Sequence, residues 1–166
     1  MGRYRAPEPP KSPYITRGGF ETLQAEEQAL WQKRREVVKH LSAAAAEGDR
    51  SENAEYIYRK KQLREMDRRI RYLQKRLPNL KVVDLCPDHN EQIFFGAWVT
   101  LADEQGDEKR YRIVGADEFD PKKNWISIDS PMAKALIKKE LDDLVAVELP
   151  GGTAKFEIVG INYQSG

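Results

Sequence analysis

The sequence predicts an α+β protein in which an N-terminal antiparallel two-helix coiled coil precedes a small antiparallel-sheet domain with one short helix. Three observations support this fold class. Apolar residues recur every seven positions in two segments before residue 78. Short strand-like runs separated by turn residues fill the chain after residue 79. Charged residues make up 33% of the chain, which favours an extended helical element beside a small domain over one compact core.

The chain divides into three predicted segments, at residues 1–13, 14–78 and 79–166. The first holds four prolines and lacks the apolar stretch of a signal peptide, so we expect a disordered arm. No apolar run approaches the roughly 20 residues that a membrane span needs. Cys86 is the only cysteine, so an intrachain disulfide is excluded. We therefore expect a cytoplasmic protein that does not bind membranes.

The segment 14–78 carries two heptad patterns. The first series is Leu23, Leu30, Val37 and Ala44, and the second is Tyr56, Leu63, Ile70 and Leu77. These positions predict the seam of a coiled coil, although Glu27, Arg34 and Arg59 occupy nominal core positions. The short connection around Gly48 forces the two helices to be antiparallel. Because the helices pair with each other and need no partner helix, we expect a monomer.

The segment 79–166 predicts six strands and one helix. The strand-like runs cover residues 81–85, 93–101, 109–114, 125–128, 144–149 and 154–163. Ser130 followed by Pro131 has the pattern of a helix N-cap with proline at the first helical position, which predicts a helix from 131 to about 139.

The predicted hairpin tip carries two acidic residues, Asp49 and Glu52, three positions apart at the start of the second helix. This spacing places both carboxylates on one side of the first turn, where they could share one Mg²⁺ and leave coordination positions open. Such a pair binds Mg²⁺ weakly by itself and needs further ligands from another site. The same spacing also fits a capping box, and the two interpretations are compatible.

A row of cations follows the outer side of the second helix. Lys61, Arg64, Arg68, Arg71 and Lys75 are spaced by three and four residues, and Lys60 widens the row. Residues 33–76 hold 14 Lys/Arg against 7 Asp/Glu, a net of +7, whereas residues 82–166 hold 9 against 16, a net of −7. The row suits the backbone of a single-stranded nucleic acid, and a purely solubilising role is the alternative. We interpret Tyr56 and Tyr58 as packing or surface aromatics.

Several motifs resemble the bacterial Gre transcript-cleavage factors, over about residues 14–163. The tip motif, at 48–56, is Gly-Asp-Arg-Ser-Glu-Asn-Ala-Glu-Tyr. Others lie at 63–73, 94–99, 111–115 and 126–136, in the order that the family shows. Within the family, Arg50-Ser51 and the dense arginine row are more similar to GreB than to GreA.

The resemblance implies an FKBP-like fold for the sheet domain and RNA polymerase as the partner. It places the catalytic acids at Asp49 and Glu52, with Asn53 and Glu55 supporting them, and the polymerase-docking segment at Asp129, Ser130 and Pro131. A helix cap is the structural alternative for that segment. The implied function is an elongation factor that enters the secondary channel and stimulates the polymerase's own cleavage of backtracked RNA at its 3′ end, with Mg²⁺ shared with the polymerase. The chain would then not be an enzyme by itself.

Two other functions stay open at this point. The hairpin could occlude the channel without promoting cleavage, although the intact acidic pair argues against this. A prolyl isomerase is suggested only by the implied FKBP-like fold, and a fold does not carry an activity.

Overall fold

The computed structural model describes residues 10–46, 54–84 and 91–163. By its internal contacts the chain forms two compact units: residues 20–80 make up one, and the residues on either side make up the other. The segment boundaries expected at residues 13 and 78 stay a prediction. In the described ranges, no helix combines the length and the apolar character that crossing a membrane requires.

Two long helices dominate the unit of residues 20–80. Helix α1 spans Arg17–Ala46 and α2 spans Ala54–Arg76, which correspond to lengths of about 45 and 35 Å. The heptad residues are buried or half-buried on both helices, as expected of a coiled coil. The fully buried ones are Leu23, Val37, Ala44, Met66, Ile70 and Leu73. The predicted seam is therefore confirmed on the described residues.

Among the described residues, two ion pairs connect the helices. Arg69 donates two hydrogen bonds to the Glu26 carboxylate, at 2.8 and 3.0 Å. Arg34 donates to Asp67 at 2.7 Å. Glu26 pairs with residue 69, and Arg34, later on α1, pairs with the earlier residue 67 on α2. This reversed order is the one expected of antiparallel helices. The ion pair with Asp67 also explains how Arg34 is tolerated at a nominal core position of the coiled coil.

In the other unit, the part of the chain that the structure describes forms seven strands. Their bounds are β1 Tyr14–Thr16, β2 Lys81–Val83, β3 Trp98–Ala102, β4 Glu108–Val114, β5 Trp125–Ser127, β6 Leu144–Leu149 and β7 Gly152–Asn162. Strands β1 and β2 pair in parallel, and the main sheet has the order β5-β4-β3-β7-β6. Its pairings are antiparallel except for β4 with β5. The predicted fold class is confirmed, although β1 with β2 and β4 with β5 pair in parallel, which the sequence did not predict.

A short helix, α3 (Pro131–Leu136), covers the main sheet. Beneath it lies an apolar core in which Val99, Ile113, Leu136 and Ile158 are at most 1% exposed. The hydroxyl of Tyr163 ties the last strand to the segment before β3, because it accepts a hydrogen bond from the Phe94 amide at 2.9 Å and donates to the carbonyl of Gln92. The helix ends earlier than residue 139 because Ile137 is extended and Lys138 has φ +68°.

Two strands also differ from the sequence prediction. The strand expected from residue 93 begins only at Trp98, since Gly96 adopts φ +87° in a turn that an extended chain cannot make. Strand β1 was not predicted, because three residues are too short for a period-two pattern to stand out.

One carboxylate holds the start of α1. Glu118 accepts hydrogen bonds from the amides of Thr16 and Gly115, at 3.0 and 2.8 Å, and from the Thr16 hydroxyl. That hydroxyl in turn accepts from the Gly19 amide at 3.1 Å, so Thr16 serves as the N-cap of α1. The first turn of α1 is thereby fixed to the loop after β4.

Candidate nucleic-acid interface

The cations expected to bind RNA all lie exposed on α2. They are Lys60, Lys61, Arg64, Arg68, Arg71 and Lys75, called here the basic row. The Lys60 ammonium lies 5.9 Å from the centre of the Tyr56 ring. The other five form no ion pair with any residue in the described part of the chain. Their positive charge is therefore not neutralised on the described surface, and it is available to attract an anionic chain.

Other cations of the same two helices have structural partners. Arg34 and Arg69, which are among the 14 cations of residues 33–76, are paired with acids across the seam. Arg59 is half-buried and donates to the Gln62 side chain at 3.2 Å, while its buried Nε has no acceptor among the described residues. The structure thus separates the cations that hold the hairpin together from those that face solvent.

The predicted acids of the hairpin tip, Asp49 and Glu52, lie outside the described residues, and so does Asn53. Glu55 lies exposed in the first turn of α2. No group of three or more His, Cys, Asp or Glu side chains within the described ranges is arranged to hold a metal ion. The assignment of the tip acids therefore stays a prediction.

The segment predicted to dock on polymerase opens α3. The Ser130 hydroxyl accepts a hydrogen bond from the Ala133 amide at 3.2 Å, and Pro131 is the exposed first residue of the helix. The Asp129 carboxylate accepts hydrogen bonds from the backbone amide of Ser12, at 2.9 Å, and from its hydroxyl. The helix cap considered from the sequence is therefore present, and it leaves Pro131 on the surface.

An apolar groove that the sequence did not reveal adjoins this segment. It has a volume of about 410 Å³ and is lined by Tyr111, Phe119, Pro121, Asn124, Trp125, Ile126, Ser127 and Ser130. Phe119 is 59% exposed at the groove. The lining residues come from β4, β5, the loop between them and the N-cap of α3, and the pairing of β4 with β5 brings the two strands together at the groove.

Positive charge flanks one side of the groove. The Arg112 guanidinium and the Lys123 ammonium lie 5.0 and 4.7 Å from the centre of the Trp125 ring. Arg112 is only 6% exposed, and burial lowers the pKa of its guanidinium while the nearby Glu118 carboxylate opposes that shift. Its Nε donates to the carbonyl of Gly96 at 3.4 Å. Arg112, which lies against the Trp125 side of the groove, is therefore fixed by burial and by its hydrogen bond to Gly96.

Comparisons with known proteins cover both units. A family model described as "Transcription elongation factor, N-terminal" matches residues 13–82, and one described as "Transcription elongation factor, GreA/GreB, C-term" matches residues 88–163. The chain is 57% identical over 155 residues to the transcription elongation factor GreB of Pasteurella multocida, covering 93% of this chain and 98% of that protein. It is 55% identical over 164 residues to GreB of Pseudomonas aeruginosa, covering 98% of each.

A solved structure also matches. The GreA factor homolog 1 (Gfh1) protein of Thermus thermophilus is 25% identical, with a TM-score of 0.41 over 90% of this chain and 97% of that one. At that TM-score the likeness supports no statement about this chain.

Proposed function

The chain belongs to the GreA/GreB family of transcription elongation factors, on its GreB side, and we propose that it rescues arrested bacterial RNA polymerase in the cytoplasm. In this proposal the hairpin enters the secondary channel and stimulates the polymerase's own Mg²⁺-dependent cleavage of backtracked RNA. The factor is not an enzyme by itself, since the polymerase performs the reaction.

The observation that carries the proposal is the unneutralised basic row on α2. From Lys60 to Lys75 the row extends for about 22 Å along the helix, the length of a few extended nucleotides. Cations at this spacing contact successive phosphates and release their counterions, so binding tolerates any RNA sequence. The row lies on the helix that begins beside the tip, and it guides the extruded RNA 3′ end along the hairpin.

The tip acids act at the metal centre of the polymerase. Asp49 and Glu52 supply carboxylate oxygens that hold a Mg²⁺ shared with the polymerase, and Asn53 and Glu55 support them. That ion, when bound, stabilises the developing charge of phosphodiester hydrolysis. Two carboxylates alone are a weak Mg²⁺ site, so the shared ion needs further ligands from the polymerase.

Docking on the polymerase involves the N-terminus of α3 and the groove beside it. Pro131 and Phe119 are exposed there, and Ser130, the N-cap of α3, also lines the groove. An exposed aromatic beside an apolar groove is the composition of an interface core. We assign this surface, with Asp129, to the polymerase.

The decisive experiment adds the purified protein to a stalled, backtracked elongation complex. Asp49→Asn combined with Glu52→Gln is expected to lower stimulated cleavage at least about 100-fold, because the charge that holds the shared ion is lost. Polymerase binding, measured by a pull-down, stays close to that of the unmodified protein. Glu65→Gln, which removes an exposed acid of α2 outside the tip, is the matched control and keeps full cleavage.

The same assay separates the proposal from the alternative that the hairpin only occludes the channel. An occluding factor lowers nucleotide addition and releases no short RNA, and the acid substitutions leave its inhibition unchanged. Equal RNA cleavage by the unmodified protein and the double variant would refute the roles of Asp49 and Glu52.

A further inference from the structure

Tyr58 is the most exposed aromatic side chain of the described part of α2. Its exposed fraction is 61%, whereas Tyr56 and Tyr72, the other tyrosines of this helix, are half-buried. In the heptad pattern Tyr56 falls on the seam, while Tyr58, two positions later, falls on the outer side. The two tyrosines are therefore not equivalent, and packing within the hairpin explains only Tyr56.

Tyr58 continues the basic row toward the tip. It precedes Lys61 by three residues, and Arg64 and Arg68 follow at spacings of three and four. Residues at these spacings are neighbours on one helix face. An aromatic ring therefore ends the row on the side nearest the tip.

The ring is also held by a neighbour. The guanidinium carbon of Arg59 lies 5.6 Å from the ring centre, within cation–π distance. Arg59 is in turn bonded to Gln62. A ring that is restrained before its ligand arrives loses less conformational entropy on binding.

Single exposed aromatics are common on protein surfaces and need no function by themselves. This one differs because it stands in line with unneutralised cations. Cations that follow a phosphate backbone beside a ring on which a base stacks are the combination found in single-strand binding sites.

We propose that Tyr58 is a stacking platform for one nucleobase of the RNA that the basic row holds by its phosphates. The inference rests on the proposed function and adds a subsite for bases, without sequence preference because every base has a π face. Tyr58 then has a binding role instead of being only a surface aromatic, as expected from the sequence. Tyr56 remains a packing residue.

A cycle that changes the ring and the base separately tests the proposal. Affinities are measured by fluorescence anisotropy at low salt for an RNA of about ten nucleotides and for a chain of the same length and charge that lacks bases. The unmodified protein is expected to bind the RNA about fivefold to tenfold more tightly than the abasic chain, and Tyr58→Ala is expected to remove that difference. Tyr58→Phe keeps an aromatic ring and is therefore expected to retain the difference in affinity.

Ile57→Ala is the matched control, because Ile57 is 54% exposed and adjacent to Tyr58 but offers no ring. The inference would be overturned if Tyr58→Ala preferred the RNA over the abasic chain as strongly as the unmodified protein does. It would also be overturned if Tyr58→Phe lost as much of that preference as Tyr58→Ala. Cleavage of a backtracked complex is measured in parallel. If the unmodified protein stimulates no cleavage, the proposed function fails, and the binding cycle alone decides whether Tyr58 stacks on bases.

Discussion

At the residue scale, the loop after β4 depends on one carboxylate and one close backbone approach. Glu118 satisfies two backbone amides and the Thr16 hydroxyl at the start of α1. A Cβ added to Gly115 would lie 2.1 Å from the carbonyl oxygen of Tyr14, so only glycine fits there. Hydrogen bonds to a charged acceptor contribute more than neutral ones, about 1.5–3 kcal/mol each, so this cluster outweighs the exposed ion pairs of the surface.

Two adjacent glycines in the first turn of α1 are predicted to respond to alanine with opposite signs. A Cβ on Gly18 meets nothing within 4 Å, whereas one on Gly19 would lie 2.0 Å from a Glu118 carboxylate oxygen. Gly18→Ala is expected to stabilise the protein by about 0.5 kcal/mol, because alanine loses less backbone entropy on folding. Gly19→Ala is expected to destabilise it by about 1–3 kcal/mol, because the carboxylate must leave its donors.

Urea denaturation followed by circular dichroism measures both changes, and each variant controls for the other. Equal stability of the two variants would show that the Glu118 carboxylate does not constrain the first turn of α1.

At the element scale, the hairpin is held by its apolar seam more than by its ion pairs. Leu73 is fully buried. The side chains of Arg34 and Asp67, by contrast, are 33% and 32% exposed. Solvent screening limits such a pair to about 1 kcal/mol or less. Removing a buried residue of the seam is therefore expected to lower the stability of the hairpin more than removing an ion pair.

Leu73→Ala is expected to cost about 2–4 kcal/mol, from lost apolar burial and the cavity that the smaller side chain leaves. A double-mutant cycle on Arg34→Ala and Asp67→Ala is expected to give a coupling of at most about 1 kcal/mol. Both are measured from the loss of helical circular dichroism in urea. A coupling larger than the cost of Leu73→Ala would mean that charge pairing holds the hairpin.

The cap of α3 gives a second prediction for an element. Ser130→Ala removes the acceptor of the Ala133 amide and is expected to cost about 1 kcal/mol, whereas Ser130→Asp keeps a capping oxygen and most of the stability. Ser42→Ala, at an exposed position of α1, is the control and is not expected to lower stability. Thermal unfolding measures all three. A Ser130→Ala variant as stable as the unmodified protein would show that the cap is dispensable.

At the scale of the whole molecule, the net charge of +1 hides an acidic half and a basic half. Residues 33–76 carry a net of +7, which includes the basic row, and residues 82–166 carry −7. A polyanion such as RNA is therefore expected to bind at the hairpin and to be repelled by most of the sheet unit, which the total charge alone does not indicate.

This asymmetry predicts a steep salt dependence. If the six cations of the basic row each neutralise one phosphate, the logarithm of the RNA affinity falls with the logarithm of salt concentration at a slope of about −4. Replacing Arg64, Arg68 and Arg71 by glutamine is expected to reduce that slope to about −2. Replacing Lys109, Lys122 and Lys139, exposed cations of the other unit, leaves it unchanged. Anisotropy titrations at several salt concentrations measure the slope, and an unchanged slope in the triple arginine variant would remove the basic row from RNA binding.

Local sequence patterns are sufficient to predict the helical hairpin, its seam, the cap of α3 and the six cations of the basic row. These features depend on neighbours within a few residues, so their spacing is visible in the chain. Only the tertiary structure shows that Arg34 and Arg69 form ion pairs while the basic row stays exposed, and that β4 and β5 form an apolar groove. It also decided that Glu118 holds Thr16, 102 residues away along the chain. Contacts at such separations follow from how elements pack, and no local pattern encodes them.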